Sequence, residues 1–296
     1  MNLLHFGLFS KHEPQQGLRN AMRKLSDRYT EFSWVQRPRR AMIDLEVLIK
    51  KHKPDTVFMQ IQTPNIISAA MLKKYPNIRF FNFSGDVVPE IPKWFFDLVP
   101  YCTTLFTNTD WVAEVPGAKY MQISCDLNIY KPEGKRVQTA PVVFMGNNHG
   151  SQFPLSKLRE EMVERFKDKP WFQVYGRGWG SGVQDLNYKQ EQEAAVYRSA
   201  KIGINLSHMD LGSYTSDRMF RIMASGAMCL AYRHKDIEKE FDDGIHLQVW
   251  RNLDELEYLI EFYLKNGDQR NRITTSGCKL IHEKYNWTER LKPILL

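Results

Sequence analysis

The pattern that most restricts the fold is an alternation of short apolar segments with amphipathic helical segments, which occurs twice along the chain. The first series covers residues 3–123 and the second covers residues 141–265. Between them, residues 128–140 contain proline, glycine and charged residues without a period, which is typical of a linker. Alternating strands and helices favour parallel strands joined by right-handed helical crossovers. The sequence therefore predicts two doubly wound, Rossmann-like α/β domains.

The elements expected from apolar periodicity define the domain organisation. The predicted strands are 3–9, 31–35, 56–61, 78–83, 103–107, 120–123, 141–145, 172–175, 202–206 and 228–232. The predicted helices are 17–28, 41–51, 65–74, 94–99, 155–166, 191–199, 217–224 and 253–265. Residues 1–136 form the first domain in this division, and residues 137–280 form the second. Ligands of such sheets bind beyond the carboxyl ends of the strands, so we expect a cleft between the domains.

The composition is that of a globular protein. Of the 296 residues, 43% are hydrophobic and 12% aromatic, which excludes a disordered or collagen-like chain. No segment offers the roughly 18 uncharged apolar residues of a membrane span, and the N-terminus lacks the features of a secretory signal. The four cysteines lie far apart and form no CxxC pair, so we expect reduced thiols, no zinc site and a cytoplasmic location.

The positive charge is concentrated near the N-terminus. The formal net charge is +7, yet residues 1–80 contain 14 Lys and Arg against 6 Asp and Glu, and residues 81–296 contain 27 against 28. The basic clusters lie at residues 37–40, 50–53 and 73–74. This asymmetry indicates either a polyanionic partner or ordinary solvated helix faces.

Two strand ends of the second domain carry glycine and polar residues. Glycine after a strand lets a ligand approach the backbone, and an ordinary turn is the alternative. Glycines, a cation and an aromatic residue at a strand end suit a nucleotide phosphate and a stacked base, for which Tyr175 and Trp179 are the candidates. The predicted ligand-binding residues are Gly146, Asn147, Tyr175, Gly176, Arg177, Gly178 and Trp179.

Residues 211–230 give the strongest indication of an anion site. Small polar residues precede the helix 217–224, and Ser216 or Asp217 is its expected N-cap. The N–H groups and the dipole of a helix N-terminus favour a diphosphate. A cation is otherwise disfavoured at the first turn, where Arg218 lies, so an anionic ligand would explain it; pairing with carboxylates is the alternative. The predicted donor-binding residues are Ser213, Tyr214, Thr215, Ser216, Asp217, Arg218 and Arg221.

At this point the chain resembles a known family. The segments SDRMFRIMASGAMCLAYRHKDIEKEF, GIHLQVW, LDELEYLIEFYLKNGDQRNRI and YNWTERL are similar to the C-terminal half of GT-B glycosyltransferases, the CgeB-like branch in particular. That pattern has a helix of the form R-x-F-E-I-M-A-x-G and then an acidic-Phe-x-x-Gly turn, matched by residues 240–244. The resemblance covers about residues 140–292, with weaker matches at NFSGDV, LFTN and MQISCDLNIYKP. It implies two facing domains, a C-terminal helix (281–296) crossing back onto the first, and a nucleotide-sugar donor, UDP-sugar above all.

The chain departs from the family pattern at two positions. Relatives carry a ribose-binding Glu where this chain has Arg221, and often a second Glu where it has Ser213. Other residues must then recognise the ribose, and Arg221 is expected to contact phosphate or a neighbouring carboxylate. The missing pair leaves retaining and inverting chemistry both open. It also motivates an alternative, a non-catalytic module that binds nucleotide-sugars.

The resemblance implies transfer of a sugar from a donor on the second domain to a hydroxyl acceptor on the first. Arg218, with Arg177 and Arg221, would neutralise the leaving diphosphate. The chain has neither a DxD motif nor a His/Cys cluster, so we expect no metal and no cofactor beyond the co-substrate. Asp86, at the end of its strand, is the expected general base of an inverting reaction, and His149 is a second catalytic candidate. A turn-forming aspartate and a structural histidine are the alternatives.

The acceptor is predicted from charge. The acceptor-side candidates are His12, Glu13, Arg37, Arg39 and Arg40. A basic first domain suits DNA with a hydroxymethylated pyrimidine, as in viral DNA glucosyltransferases, held through its phosphates and with the target base flipped. Polysaccharide, protein and small-molecule acceptors are alternatives, because no named DNA-binding motif occurs. Basic helices can also contact anionic membranes, but the sequence shows no strongly amphipathic anchor.

Overall fold

A computed structural model describes residues 1–11, 15–186 and 189–296. The chain forms two compact units, Met1–Gln122 together with Trp287–Leu296, and Ile123–Asn286. The sequence-based division places the boundaries at 136/137 and 280/281. Residues 123–136 group with the second unit because their apolar side chains pack on its core and Arg198 donates hydrogen bonds to backbone carbonyls of this segment.

The first unit contains a six-stranded parallel sheet with the strand order β2-β1-β3-β4-β5-β6. Its strands are β1 (Asn2–Gly7), β2 (Arg28–Ser33), β3 (Thr56–Met59), β4 (Arg79–Ser84), β5 (Thr103–Phe106) and β6 (Lys119–Tyr120). Its helices are α1 (Gln16–Lys24), α2 (Ala41–His52), α3 (Ala69–Lys73), α4 (Trp94–Leu98) and α5 (Thr109–Glu114). The central strands are almost completely buried, because helices cover both faces of the sheet. Leu4 packs with Leu45 of α2 on one face, and Leu3 packs with Leu18 of α1 on the other.

The second unit contains a five-stranded parallel sheet with the strand order β11-β10-β9-β7-β8. Its strands are β7 (Val142–Met145), β8 (Phe172–Tyr175), β9 (Ile202–Asn205), β10 (Met228–Tyr232) and β11 (Gln248–Trp250). Its helices are α6 (Ser156–Phe166), α7 (Gln190–Ser199), α8 (Asp217–Ala224), α9 (Leu253–Lys265) and α10 (Gly267–Lys284). Val143 packs with α7 and α8 on one face, whereas Phe144 packs with α6 on the other.

The last helix, α11 (Trp287–Leu295), packs on the first unit. Leu291 and Leu295 join the cluster that contains Leu18. The Trp287 ring lies 6.1 Å from the Phe83 ring, centroid to centroid. The end of the chain is therefore bound to the first sheet by apolar contacts.

Helix α10 and strand β11 were not expected from the sequence, and two further differences from the predicted elements are explained by local capping. The helix expected at 65–74 begins only after Ser68, whose side chain accepts a hydrogen bond from Met71 N. Helix α5 was not expected; Asn108 caps it by accepting a hydrogen bond from Trp111 N at 2.7 Å. Both caps satisfy N–H groups that have no partner inside the helix. No helix in the described part of the chain is long and apolar enough to cross a membrane.

A buried polar network lies within the first sheet. His5 on β1 is completely buried. Its Nδ1 lies 3.0 Å from the Tyr29 hydroxyl, and its Nε2 lies 2.9 Å from Gln60 Oε1. Burial lowers the pKa of His5 to about 4, a shift that the Gln60 contact opposes. The imidazole is therefore neutral in the folded protein at physiological pH.

This histidine predicts acid sensitivity. An unfolded histidine has a pKa of about 6.5, so protonation favours the unfolded chain; the stability present above this pH is lost as the pH falls towards 4. At about pH 5, His5 alone should cost about 2 kcal/mol of the free energy of unfolding. Urea unfolding of His5→Gln should show a correspondingly smaller loss between about pH 7 and pH 5. An unchanged pH dependence in this variant would contradict the assignment.

Candidate functional site

Gly146 marks the centre of the site, directly after β7. Its N–H donates to the Tyr175 carbonyl at 2.9 Å, which joins the ends of β7 and β8. A Cβ atom at this position would lie 2.7 Å from Arg159 Nη2 and 2.8 Å from Arg218 Nη2. Any side chain here would therefore displace the two guanidinium groups. Glycine is required because the cations lie directly against the backbone.

Arg218, in the first turn of α8, points to the carboxyl ends of the strands. Its Nε donates to the Met145 carbonyl, and its Nη1 donates to the Leu206 carbonyl at 3.2 Å and to Ser216 Oγ at 2.9 Å. The guanidinium carbon lies 5.3 Å from the centroid of the Phe144 ring. Among the described residues Arg218 forms no ion pair, so its charge is uncompensated.

Arg159 of α6 is the second cation of this site, and the sequence analysis missed it. It is 1% exposed, and it donates hydrogen bonds to the carbonyls of Leu206 and Asn147, the latter at 2.8 Å. Burial, and then the charge of Arg218, lowers its pKa well below the usual arginine value. No carboxylate pairs with Arg159 within the described ranges. Arg159 and Arg218, here called the arginine pair, thus form a positive centre that an anion would stabilise.

The N-terminus of α8 lies beside the arginine pair. Ser216 is the N-cap residue, but its side chain makes no capping hydrogen bond and donates instead to Asn205 Oδ1 at 3.0 Å. Ser216 N donates to Ser207 Oγ at 3.0 Å, and Thr215 Oγ1 accepts from Asn205 Nδ2 at 2.9 Å. These contacts fix the loop before the helix. The positive end of the helix dipole therefore adds to the field of the two arginines.

Two histidine rings border the same positive centre. The His149 and His208 ring centroids lie 4.8 Å apart. Burial first, and then the charges of Arg159 and Arg218, lowers the pKa of His208 to about 3. Partial burial, and then the charge of Arg159, lowers the pKa of His149 as well. Both rings are therefore neutral at physiological pH, and His149 is exposed enough to contact a ligand.

Arg221 does not belong to the arginine pair. Its Nη1 lies 2.8 Å from Glu193 Oε2, and its Nη2 is paired with Asp217. The Tyr130 hydroxyl donates to the same Glu193 oxygen at 2.9 Å, and the guanidinium group lies 5.3 Å from the Tyr130 ring centroid. Burial lowers the pKa of Arg221, but the two carboxylates raise it well above its usual value. Arg221 was expected to contact either a phosphate or a neighbouring carboxylate, and the structure shows the contact with carboxylates.

The two aromatic residues expected to stack on a base, Tyr175 and Trp179, have different surroundings at the end of β8. Tyr175 is 2% exposed, and its hydroxyl lies 2.9 Å from Thr139 Oγ1, so it packs within the core and leaves no ring face for a base. Trp179 is half-buried and donates from Nε1 to the Gly146 carbonyl at 2.5 Å. Arg177 is exposed and lies 3.6 Å from Asp185. Of the two candidates for stacking on a base, Trp179 is therefore the one that contacts Gly146.

The loop before α8 carries two more predicted residues. Ser213 is buried with φ +57°, and its hydroxyl donates to Asp236 Oδ2 at 3.4 Å. Tyr214 is half-buried, and it contributes to the electrostatic surroundings of Arg159. Tyr214 is therefore near the arginine pair, whereas the hydroxyl of Ser213 faces Asp236.

The acceptor-side candidates lie on the first unit. Asp86 is exposed after β4. The Gln62 amide, oriented to donate, places its nitrogen 2.9 Å from Asp86 Oδ2 and accepts from Gly85 N at 3.3 Å. Arg37 lies 3.5 Å from Asp44 Oδ2, whereas Arg39 and Arg40 are exposed. His12 and Glu13 lie outside the described residues.

One signal for Arg159 was available in the sequence. It precedes Met162, Val163 and Phe166 by three, four and seven positions, which places an arginine on the apolar face of α6. Such a position is normally apolar, and a buried cation needs a partner. His208 carried no comparable signal, because it follows β9 in an irregular segment.

Two parallel-sheet α/β units are the architecture of the GT-B class of folds. Residues 158–295 match the family model described as glycosyl transferase-like. A glycosyltransferase from Rickettsia africae ESF-5 has a similar structure, with a TM-score of 0.66 and 12% identity over 99% of this chain and 96% of that one. The structure of Anabaena HepE in complex with UDP and glucose is also similar, with a TM-score of 0.63 and 11% identity over 99% of this chain and 98% of that one. A comparison with curated protein sequences gave no match. The chain therefore has the GT-B fold, and its second half is similar to glycosyl transferase-like proteins.

Proposed function

We propose that the second unit binds the diphosphate of a UDP-sugar and that the enzyme transfers the sugar to a hydroxyl acceptor. The observation that carries this proposal is the arginine pair, whose two charges meet at Gly146 with carbonyls as their hydrogen-bond acceptors. A diphosphate supplies the missing negative charge, and the N-terminus of α8 lies beside it. The complex of Anabaena HepE with UDP and glucose supports uracil as the base of the donor nucleotide.

The proposed chemistry is a displacement at the anomeric carbon. The acceptor oxygen bonds to that carbon while its bond to the β-phosphate oxygen breaks, and UDP leaves with the electron pair. The charge that develops on the leaving diphosphate is stabilised by Arg159, Arg218 and the α8 N-terminus. In the inverting form, the proton of the acceptor hydroxyl passes to Asp86. His149 is the second candidate for this proton or for a contact with the sugar.

A donor panel tests the proposed function. The purified chain is incubated with several UDP- and GDP-sugars, and release of nucleoside diphosphate is measured with and without EDTA. We expect turnover of a UDP-sugar that EDTA leaves unchanged, because no group of three His, Cys, Asp or Glu in the described part of the chain could hold a metal. Binding of nucleotide without turnover of any donor would instead indicate the non-catalytic module.

Asp86 gives a prediction about the acceptor step. Asp86→Asn should lower kcat for transfer roughly 100-fold or more while UDP affinity stays the same, because the amide cannot take a proton. The matched control is Glu90→Gln, which removes another exposed carboxylate of the same loop. Initial rates and UDP titrations measure the two effects. Equal rates for the Asp86 variant and the wild type would assign Asp86 to turn formation.

DNA with a hydroxymethylated pyrimidine, the acceptor predicted from charge, is one candidate substrate. Its support is the basic surplus of residues 1–80. Incubation with duplexes that contain hydroxymethylated or unmodified cytosine, followed by mass spectrometry of the nucleosides, tests it. Sugar on the hydroxymethylated base alone would support the DNA acceptor, and its absence with every donor that is turned over would refute it.

A further inference from the structure

The outward face of α2 combines apolar and basic side chains. Ile43 and Val47 are 54% and 56% exposed and lie one helical turn apart, so they share a face. Met42 beside them is 41% exposed. The opposite side of α2 packs on the sheet through Leu45 and Ile49. Helix α2 is thus apolar on both sides, which explains why the sequence shows no simple amphipathic anchor.

Cations lie at both ends of this apolar strip. Arg39 and Arg40 precede α2, and Lys50 and Lys51 lie in its last turn; all four are exposed. Within the described residues none of the four forms an ion pair. The nearby carboxylates are already compensated, since Asp44 pairs with Arg37 and Glu46 pairs with Lys74, the residue that follows α3. We define the α2 face as Arg39, Arg40, Met42, Ile43, Val47, Lys50 and Lys51.

We propose that the α2 face docks on an anionic lipid bilayer surface. The cations would lie at the level of the lipid phosphates, and Ile43 and Val47 would enter the interface between headgroups and acyl chains. Nucleic acid explains the cations but not the apolar strip, because phosphate contacts come from charged and polar groups. The proposal concerns the first unit and does not depend on the donor chemistry.

Vesicle co-sedimentation of the full chain tests the proposal. The probes are vesicles of phosphatidylglycerol with phosphatidylcholine, and of phosphatidylcholine alone. We expect binding to the anionic vesicles only, weakened by salt because surface charges are screened. Ile43→Asn/Val47→Asn and Arg39→Gln/Arg40→Gln should each lower the partition coefficient roughly tenfold or more. All positions are exposed, so the variants should keep the thermal stability and UDP affinity of the wild type.

Matched controls distinguish this face from general surface properties. Ile245→Asn changes an isoleucine of equal exposure, 54%, on the second unit. Lys201→Gln/Lys265→Gln removes two exposed cations from the second unit. Neither control should change vesicle binding. Absence of vesicle binding, or binding that is insensitive to Ile43→Asn/Val47→Asn, would overturn the proposal.

Two further outcomes would also overturn it. Salt-sensitive binding to duplex DNA that is lost in Arg39→Gln/Arg40→Gln but kept in Ile43→Asn/Val47→Asn, without vesicle binding, would assign the cations to nucleic acid. A dimer that dissociates on Ile43→Asn/Val47→Asn, detected by light scattering without vesicle binding, would assign the strip to a second copy of the chain.

Discussion

Arg218→Ala should reduce kcat/KM for the sugar donor roughly 100- to 1000-fold, because it removes a preorganised cation from the leaving diphosphate. The loss should also appear as weaker UDP binding, measured by calorimetric titration. Arg218→Lys should recover part of the affinity through its charge but not the hydrogen bonds to the Met145 and Leu206 carbonyls.

The matched control for this prediction is Arg177→Ala. Arg177 lies in the same unit but is exposed and close to Asp185, so its loss should change UDP affinity by less than tenfold. Thermal unfolding of each variant separates loss of the ligand contact from loss of the fold. Wild-type UDP affinity in a folded Arg218→Ala protein would refute the phosphate role of the arginine pair.

Gly176→Ala should disrupt the site through the backbone. Gly176 has φ +129°, which L residues rarely adopt, and a Cβ atom here would overlap the Gly146 carbonyl. We expect a loss of about 3 kcal/mol in the free energy of unfolding, because backbone strain and a steric clash combine. UDP affinity should fall as well, since the Gly146 carbonyl also accepts the Trp179 hydrogen bond.

Gly180→Ala separates the effect of backbone strain from the effect of the steric clash. Gly180 follows in the same segment with φ +109°, but a Cβ atom there would meet nothing within 4 Å. This variant should lose only the strain term, about 1–2 kcal/mol, and keep its UDP affinity. Urea unfolding and calorimetry measure both quantities. If the two alanine variants are equally stable and bind UDP equally well, the clash at Gly146 has no energetic consequence.

The predicted strands and helices overlap elements of the structure, although the strand expected at 31–35 lies at Arg28–Ser33 and β11 was not expected. Helix α8 and helix α9 have the bounds expected from the sequence, Asp217–Ala224 and Leu253–Lys265. Apolar periodicity suffices there because each helix buries one continuous stripe. It did not predict α10, and it did not predict α5, which is six residues long and depends on the Asn108 cap. Short helices carry too few apolar positions to produce a period.

The candidate site was only partly accessible from the sequence. The small residues before α8 and Arg218 in its first turn predict an anion site, because these residues are neighbours in the sequence. Arg221 lies three residues further on, yet it faces Glu193 from a different helix, a partner that sequence spacing cannot reveal. The sequence offers Tyr175 and Trp179 equally as residues that could stack on a base. The structure distinguishes them, because Tyr175 is buried and Trp179 is only half-buried.

The sequence by itself determined the two α/β units, the strand ends that carry the candidate ligand-binding loops and the place of Arg218. These follow from apolar periodicity and from helix-end electrostatics, which act over a few residues. Only the tertiary structure decided that Arg159, Arg218 and Gly146 meet, and that Arg221 is compensated by carboxylates. The physical reason is that burial and charge pairing depend on which side chains share the same space, and residues far apart in the chain supply them.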